Sequence, residues 1–319
     1  MKKIQLIISF FVACAISISL TSFPSAEENI PFLVTFSKQA EKSWGDDDNI
    51  QIYFISIPKS RIDPIYIRIY DPEIGGKHDE NRSGFDSKTK FTIFGGKACF
   101  SDPDAKKQDP TGNFKSGIQL GTKTFGAETD YDNKWYVFGP FNPTEGEYSS
   151  DFGTYILKVV VEGLDGDDGN LYKIDVSSDK NSNTLIEGVN SFTYEYCFRT
   201  HDAALSVSHL YPFVSPGVIS VRVNTFDYDD EGAVKIISVA KKGEVVTAAG
   251  DGLWNISQHK ILPSEANTSL DIQFIKKKTV NNNNMVVYIT DQYGELLPFY
   301  ASPIGGVPKF KSKIVVKEK

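Results

Sequence analysis

The sequence predicts an all-β protein, in which a signal peptide precedes two consecutive β-sandwich domains of the jelly-roll or immunoglobulin-like type. Short apolar segments rich in β-branched and aromatic residues recur along the chain, and several of them alternate polar with apolar residues. Turn-forming Gly, Asp, Asn and Pro separate these segments, and no segment repeats apolar residues at helical spacing over several turns. Many short strands joined by turns are typical of sandwiches and barrels.

The N-terminus has the three parts of a secretory signal peptide. Lys2 and Lys3 precede an apolar stretch, residues 4–20, which is followed by small residues up to Ala26. We therefore expect removal of residues 1–26 and export of the chain to the periplasm, the cell surface or the medium. The apolar stretch is shorter than the ~20 residues that span a bilayer. No second apolar stretch follows, so we expect no membrane span in the mature chain.

Two alternatives stay open at this end of the chain. Cys14 stands in the sequence Phe-Val-Ala-Cys, which is shaped like a lipobox, and lipidation there would produce a lipid-anchored envelope component. An uncleaved apolar stretch would instead act as a membrane anchor. The apolar stretch continues past Cys14, and this favours cleavage near Ala26.

Length and charge set the domain organisation and exclude some partners. The chain has 319 residues, and without its leader it suits two domains of about 100–170 residues. We expect the boundary after the strand at 191–198, around residues 199–206, which gives domains at residues 27–200 and 201–319; a boundary near residues 211–216 is the alternative. The formal net charge is −7, and loss of the two leader lysines would bring it to about −9. An acidic surface predicts no nucleic-acid partner.

The predicted strands follow one another along both domains. Residues 50–57 are rich in β-branched and aromatic residues, which are typical of a strand. A short helix at residues 37–44 is the only helical candidate, and residues 95–134 contain no clear strand, as in a surface loop that carries function. The predicted strands comprise residues 50–57, 64–70, 154–161, 171–176, 191–198, 218–223, 234–239, 270–275 and 285–290.

The acidic turn at residues 163–170 is the first candidate for a site. It joins two apolar strands, and Ca²⁺ prefers six to eight oxygen ligands from carboxylates, carbonyls and water. The turn departs from an EF-hand, since a Gly stands at the fifth position and a Val where a bidentate Glu is needed. The alternative is a hairpin, because Asp-Gly pairs favour turns. The candidate ligands of bound Ca²⁺ in this turn are Asp165, Asp167, Asp168 and Asn170.

Further acidic corners could complete such a site. Asp46, Asp47 and Asp48 precede one predicted strand, Asp71 ends the next, and Asp79 follows in an acidic loop. Packed carboxylates repel one another, and a cation would relieve that repulsion. Each corner could equally be a solvated turn. The metal prediction therefore requires these distant corners to fold onto the turn at residues 163–170.

Residues 46–58 and 65–72 resemble the pre-peptidase C-terminal domain family. In both, an acidic residue precedes a strand, and a second strand ends in Asp. The resemblance implies a secreted β-sandwich, of a kind that in some members binds Ca²⁺ and in others helps exoenzymes attach to substrate. It would place calcium ligands at residues 46–48, Asp71 and Asp79. This chain has Asp-Pro where the family has Asp-Leu, and no protease domain accompanies it.

Two pairs of residues are further candidates. Cys99 and Cys197 remain once the leader is removed, and in an oxidising compartment they could form a disulfide. The alternative is two separate buried thiols. Trp135 and Tyr136 lie beside polar loop residues and could form a ligand-binding platform, such as sandwiches use for sugars, or could fill the core.

The sequence carries no recognisable catalytic motif. None of the four histidines forms a helical metal-binding pair, no cysteines have zinc-site spacing, and no Gly-x-Ser-x-Gly elbow occurs. We therefore predict a non-catalytic binding or structural module of the bacterial envelope or extracellular space, stabilised by Ca²⁺. Its expected partner is an extracellular or envelope protein or a glycan. The rival hypothesis is a secreted hydrolase, or an accessory protein that helps a hydrolase bind carbohydrate or peptide.

Overall fold

The fold was analysed in a computed structural model that describes residues 29–46, 48–228, 232–248 and 250–307. The predicted signal peptide, Cys14 and Asp47 lie outside the described residues. Within them the chain forms twenty β-strands and four short 3₁₀-helices, the longest of four residues. The all-β prediction is confirmed. No helix in the described part has the length and apolar character needed to cross a bilayer.

The strands range from two to ten residues in length. They are β1 (Phe32–Phe36), β2 (Ile50–Pro58), β3 (Ile65–Tyr70), β4 (Thr89–Gly95), β5 (Ile118–Phe125), β6 (Trp135–Phe141), β7 (Glu147–Ser149), β8 (Thr154–Gly163), β9 (Gly169–Ser177), β10 (Asn190–Thr193), β11 (Glu195–Arg199), β12 (Val207–Val214), β13 (Ser220–Phe226), β14 (Gly232–Ile237), β15 (Lys242–Val246), β16 (Trp254–Lys260), β17 (Thr268–Ser269), β18 (Asp271–Lys276), β19 (Asn284–Asp291) and β20 (Phe299–Tyr300). The 3₁₀-helices are Lys42–Trp44, Pro103–Lys106, Pro143–Glu145 and Pro263–Glu265.

The strands form two large antiparallel sheets. The 8-stranded sheet has the order β16-β13-β19-β11-β1-β9-β3-β6. The 12-stranded sheet has the order β15-β14-β18-β12-β20-β10-β2-β8-β4-β5, with β17 paired to β12 and β7 paired to β8. Inward-facing side chains from both sheets form the main apolar core.

Both sheets continue across residue 200. In the 8-stranded sheet β11 pairs with β19, which places Cys197 opposite Val286. In the 12-stranded sheet β20 lies between β10 and β12. The main core likewise includes buried residues from both sides, such as Phe91 and Phe274. The segments at 27–200 and 201–319 therefore share both sheets, and their division into two domains stays a prediction.

Strands near the centre are apolar on both faces, as β2 shows. Its residues Tyr53 and Ile55 point into the core between the sheets, whereas Ile52 and Phe54 belong to a second cluster on the outer face. The chain between β4 and β5 covers that outer cluster, contributing Phe100 and other apolar side chains. A third cluster, around Phe36 and Val286, lies on the outer face of the 8-stranded sheet.

The structure corrects three sequence-based element assignments. The strand predicted at residues 191–198 is two strands, because the chain leaves the 12-stranded sheet after β10 and enters the 8-stranded sheet at β11. The stretch at 95–134 contains β5, an exposed edge strand whose Lys and Thr residues hide the usual apolar pattern. The helix predicted at residues 37–44 is a single 3₁₀-turn at Lys42–Trp44.

Cys99 and Cys197, the candidate disulfide pair, are not joined in the structure, and both are buried thiols, as the alternative expectation had it. The Sγ of Cys99 lies 3.2 Å from the carbonyl oxygen of Ile156, in the cluster outside the 12-stranded sheet. The Sγ of Cys197 lies 3.2 Å from the carbonyl oxygen of Gly45, in the cluster outside the 8-stranded sheet. Both sheets therefore stand between the two sulfurs.

Candidate functional site

The candidate site lies where the β8–β9 turn meets the segment at residues 83–88. Backbone hydrogen bonds join the two segments, from the N–H of Leu164 to the carbonyl of Lys88 at 2.8 Å and from the N–H of Lys88 to the carbonyl of Asp165 at 3.0 Å. The Ser87 hydroxyl also accepts from the N–H of Asp168 at 2.8 Å. These contacts fix two stretches of chain that are far apart in sequence.

Gly166 makes this close approach feasible. Its φ of 90° lies in the left-handed region that favours glycine. A β-carbon at this position would collide with the Ser87 hydroxyl and lie 2.6 Å from Oδ1 of Asp86. The Asp-Gly-Asp-Asp sequence serves as a turn, but β8 and β9 lie in different sheets and do not pair, so the turn is not the hairpin of the alternative prediction. It carries the chain from one sheet to the other and brings carboxylates from both segments together.

Three carboxylates converge at this junction, which we call the Asp trio: Asp86, Asp167 and Asp168. One carboxylate oxygen from each lies within 4.8 Å of those of the others. Oxygens that bind one Ca²⁺ at about 2.3–2.6 Å cannot be farther apart than about 5 Å, so the spacing fits a shared ion. Asp86 is exposed, Asp167 is half-buried and Asp168 is fully buried.

Asp168 has an unsatisfied oxygen. Its Oδ2 accepts hydrogen bonds from the N–H groups of Asp86 at 3.0 Å and Ser87 at 3.2 Å. Its Oδ1 is buried without a hydrogen-bond partner, although the residue is 0 % exposed. Buried polar oxygens normally have a partner, and leaving one without costs free energy. A bound cation would supply the missing partner.

The local charge also favours a cation. Asp167 accepts from the Ser83 hydroxyl at 3.1 and 3.2 Å. Within the described part of the chain, no Lys or Arg forms an ion pair with any member of the Asp trio. The trio therefore concentrates negative charge without a protein counter-charge.

Two other residues of the predicted turn site have separate roles. The Asp165 side chain is exposed and lies outside the trio, although its carbonyl accepts from Lys88. Asn170 is buried, and its Nδ2 donates to the carbonyl of Pro72 at 2.8 Å. Of the four predicted ligands in the turn, only Asp167 and Asp168 enter the trio.

The acidic corner before β2 caps backbone groups. Oδ2 of the buried Asp46 accepts from the N–H of Phe36 at 3.4 Å, and its Oδ1 accepts from the N–H of Asp48 at 3.1 Å. Oδ1 of Asp48 accepts from the N–H of Ile50 at 2.7 Å. These carboxylates order the entry to the strand and do not join the trio.

The acidic corner after β3 also caps backbone groups. Oδ1 of Asp71 accepts from the N–H of Asn133 at 2.7 Å, and Asp79 accepts from the N–H groups of Gly75 and Leu171, each at 2.7 Å. Burial raises the pKa of Asp71 to about 6, against the lowering effect of its hydrogen bond. Burial also raises the pKa of Asp79. Neither carboxylate joins the trio.

Sequence reasoning missed Asp86. The residues around it, Ser-Gly-Phe-Asp-Ser, have the composition of any polar loop. Its N–H meets Asp168 across 82 positions of sequence, and only the folded arrangement of β8 and β9 reveals that contact. No local signal distinguishes Asp86 from other loop carboxylates.

Trp135 and Tyr136 lie on β6, the edge strand of the 8-stranded sheet. The Cζ of Arg68 lies 4.7 Å from the centroid of the half-buried Trp135 ring, and the ring of Tyr70 is 5.3 Å away. Tyr136 packs edge-on against Phe125 at 5.1 Å between centroids. Neighbouring side chains therefore engage both rings, and ligand binding by this pair stays a prediction.

A second polar cluster, also missed, joins the edge strands β15 and β16. Ser257 Oγ lies 2.9 Å from Nε2 of His259, and Nδ1 of His259 lies 2.7 Å from Oε1 of Glu244. Ser257 Oγ also accepts from the N–H of Thr247 at 3.1 Å. This is the hydroxyl–imidazole–carboxylate order of nucleophilic hydrolases. The signal in sequence was Ser-x-His, which places both side chains on one face of a strand.

The comparisons with known proteins give no functional assignment. No protein-family model and no curated protein matches the chain. Among solved structures, a chain from the cryo-EM structure of T=1 Penaeus vannamei nodavirus aligns with 91% of this chain and 94% of its own length. The sequence identity is 9% and the TM-score is 0.17, so this match carries no argument about the fold or the function.

Proposed function

We propose that the protein is an exported, non-catalytic binding or structural module in which Ca²⁺ stabilises the β8–β9 corner. The main evidence for the calcium site is Asp168. This member of the Asp trio is fully buried, and its Oδ1 has no hydrogen-bond partner. The leader-like N-terminus, the acidic charge and the resemblance to the pre-peptidase C-terminal family support export. The partner is an extracellular or envelope protein or a glycan.

The ligand chemistry favours Ca²⁺ over transition metals. The Asp trio offers only oxygen, whereas Zn²⁺ and Cu²⁺ prefer His and Cys ligands. Ca²⁺ also accepts irregular coordination and completes its shell with carbonyls and water, whereas Mg²⁺ demands near-octahedral geometry. An ion bound by Asp86 and Asp168 would hold residues 83–88 against the β8–β9 turn and so stiffen this corner.

Thermal unfolding with and without chelator tests the stabilising role. At Ca²⁺ concentrations about 100-fold above Kd, binding to the folded state adds about 2.7 kcal/mol to the unfolding free energy. We expect EDTA to lower the Tm of the wild-type protein by roughly 5 °C. We expect Asp86→Asn and Asp167→Asn to fold and to lose most of this shift, because both side chains are at least partly exposed and neither is needed for packing.

Asp165→Asn is the matched control for these variants. It removes one carboxylate from the same turn, but that carboxylate is exposed and lies outside the trio. The variant should keep the full response to EDTA. An equal loss of the response in Asp165→Asn, or no response in the wild type, would contradict the proposed site.

A second candidate function, hydrolysis, is favoured by the geometry of Ser257, His259 and Glu244. His259 is positioned to take the proton of the Ser257 hydroxyl, and Glu244 to orient the imidazole. We expect a fluorophosphonate probe to label Ser257 in the folded chain, and Ser257→Ala to abolish the labelling. Ser150→Ala, which changes an exposed serine, should leave it intact. Absence of labelling in the wild type would contradict the hydrolytic function. The contacts would then only connect the edge strands of the two sheets.

A further inference from the structure

Lys276 and Asn283 form an unusual buried pair at the end of the molecule where the chain passes between the sheets. Lys276 ends β18 in the 12-stranded sheet, and Asn283 directly precedes β19 in the 8-stranded sheet. Both residues are only 1 % exposed. Removing an ammonium group from water is costly, so a lysine in this position needs a specific role or a specific partner.

The two side chains are in contact through the amide carbonyl. The Nζ of Lys276 donates to Oδ1 of Asn283 at 2.7 Å. The hydroxyl of Thr200 donates to the same oxygen at 3.0 Å, and the N–H of Thr200 donates to the backbone carbonyl of Asn283 at 3.0 Å. Two donors on one amide oxygen draw electron density from its carbonyl carbon. They would also stabilise negative charge that develops on this oxygen.

The other buried lysines have different partners. The Nζ of Lys158 donates to the backbone carbonyls of Phe114 at 2.6 Å and Ser116 at 2.8 Å. The Nζ of Lys241 lies 2.7 Å from the carboxylate of Glu265. A carboxylate compensates the charge and resists attack by an amine. The Nζ of Lys276 contacts a side-chain amide, which is an acyl group with a leaving nitrogen.

We propose that Lys276 and Asn283 join in an intramolecular isopeptide bond. The Lys276 ammonium passes one proton to Oδ1 of Asn283, to which it donates at 2.7 Å, and the resulting amine attacks Cγ of Asn283, so that a new Nζ–Cγ bond forms and the Cγ–Nδ2 bond breaks. The departing nitrogen takes the protons that Nζ gives up. An ammonium side chain and a primary amide therefore become a secondary amide and one ammonium ion. Atoms and charge balance, and no oxidant, reductant or further reactant is needed.

The structure supplies what this reaction requires. Fixing an amine against a carbonyl makes the attack effectively unimolecular, which lowers the barrier substantially. Thr200 stabilises the oxygen that becomes negative in the tetrahedral intermediate. The ring of Tyr228, whose centroid lies 5.8 Å from Nζ, and the neighbouring core exclude water that would compete with the amine. The product would tie the two sheets together covalently.

Mass spectrometry of the purified chain tests the proposal. We expect the intact mass to be lower than the sequence mass by one ammonia. After trypsin cleaves at Lys277 and Lys278, the peptide that contains Lys276 should remain joined to the peptide that begins at Thr279. Lys276→Arg and Asn283→Ala should each show the full mass of their own sequences and no branched peptide.

Two further variants and two overturning results complete the test. Lys278→Arg changes an exposed neighbour and should keep the bond. Thr200→Val should leave a detectable fraction of unlinked chain, because it removes one donor from the amide oxygen. A wild-type chain of full sequence mass would overturn the proposal. So would a loss of ammonia without the branched peptide, since a succinimide at an asparagine produces that result.

Discussion

At the scale of single residues, the contacts of each buried carboxylate decide whether it can bind a cation. Asp167 and Asp168 are adjacent aspartates in the same turn, but only Asp168 is fully buried, and its Oδ1 lacks a hydrogen-bond partner. The sequence suggested both as ligands, because acidic residues in a Gly-rich turn suit Ca²⁺. It could not suggest Asp86, since the contact depends on how residues 83–88 run along the turn. Nor could it show that Asp46 and Asp79 cap backbone N–H groups.

Asp71 makes a testable contribution to the pH dependence of stability. Its pKa is raised from 3.8 to about 6 in the folded state, chiefly by burial. The folded protein therefore holds a proton that the unfolded chain has lost between these pH values. Stability consequently falls as pH rises from about 4 to 6, and above pH 6 the loss is complete. A shift of this size corresponds to about 3 kcal/mol at most.

Asp71→Asn should remove this loss. The amide keeps an oxygen that can accept from the N–H of Asn133 but carries no charge to desolvate. We expect its unfolding free energy in urea to exceed that of the wild type at pH 7 and to match it near pH 4. Asp151→Asn, which removes an exposed charge, is the control and should not show this pattern. Equal pH profiles for Asp71→Asn and the wild type would contradict the effect of burial.

At the scale of elements, strands were predictable where both faces are apolar. β2 and β8 lie in the middle of the 12-stranded sheet, between an inner and an outer apolar cluster, and their sequences are nearly continuous apolar runs. β5 lies at the edge of that sheet and is largely exposed, so its polar sequence gave no strand signal. Charged side chains on an edge strand of this kind prevent it from pairing with the edge strand of another molecule.

The connection between β4 and β5 shows why loops were harder to predict. The fully buried Lys158 anchors it through the carbonyls of Phe114 and Ser116, and the carboxylate of Glu147 accepts from the N–H groups of Phe100 and Ser101. In the sequence, a lysine within an apolar strand only interrupts the apolar pattern and indicates no role for its side chain. Its role depends on a loop that returns over the outer face of the sheet, and a single sequence does not reveal that path.

At the scale of the whole molecule, both sheets contain strands from each of the two segments that the sequence predicts to be separate domains. Strands from both segments pair directly, and the main core draws on both. The sequence predicts a boundary near residue 200 because the strand predicted at 191–198 ends there. Pairing between β11 and β19 is long-range, and apolar periodicity within each strand does not specify its neighbour.

Shared sheets predict one cooperative unfolding transition for the whole chain. Separating residues 27–200 from residues 201–319 would break the β11–β19 pairing and expose the common core, so neither part should melt alone. We expect one calorimetric peak whose van't Hoff enthalpy equals the calorimetric enthalpy. Two resolved peaks would instead support independent domains divided near residue 200.

Calorimetric titration of the chelator-stripped chain with CaCl₂ tests the central claim most directly. We expect saturable binding of one Ca²⁺ by the wild-type protein and by Asp165→Asn, and no measurable binding by Asp168→Asn. Circular dichroism should show the same β-sheet content in all three proteins, which separates loss of the site from loss of the fold. A wild-type chain that binds no Ca²⁺, or an Asp168→Asn chain that binds it equally well, would contradict a calcium site at the Asp trio.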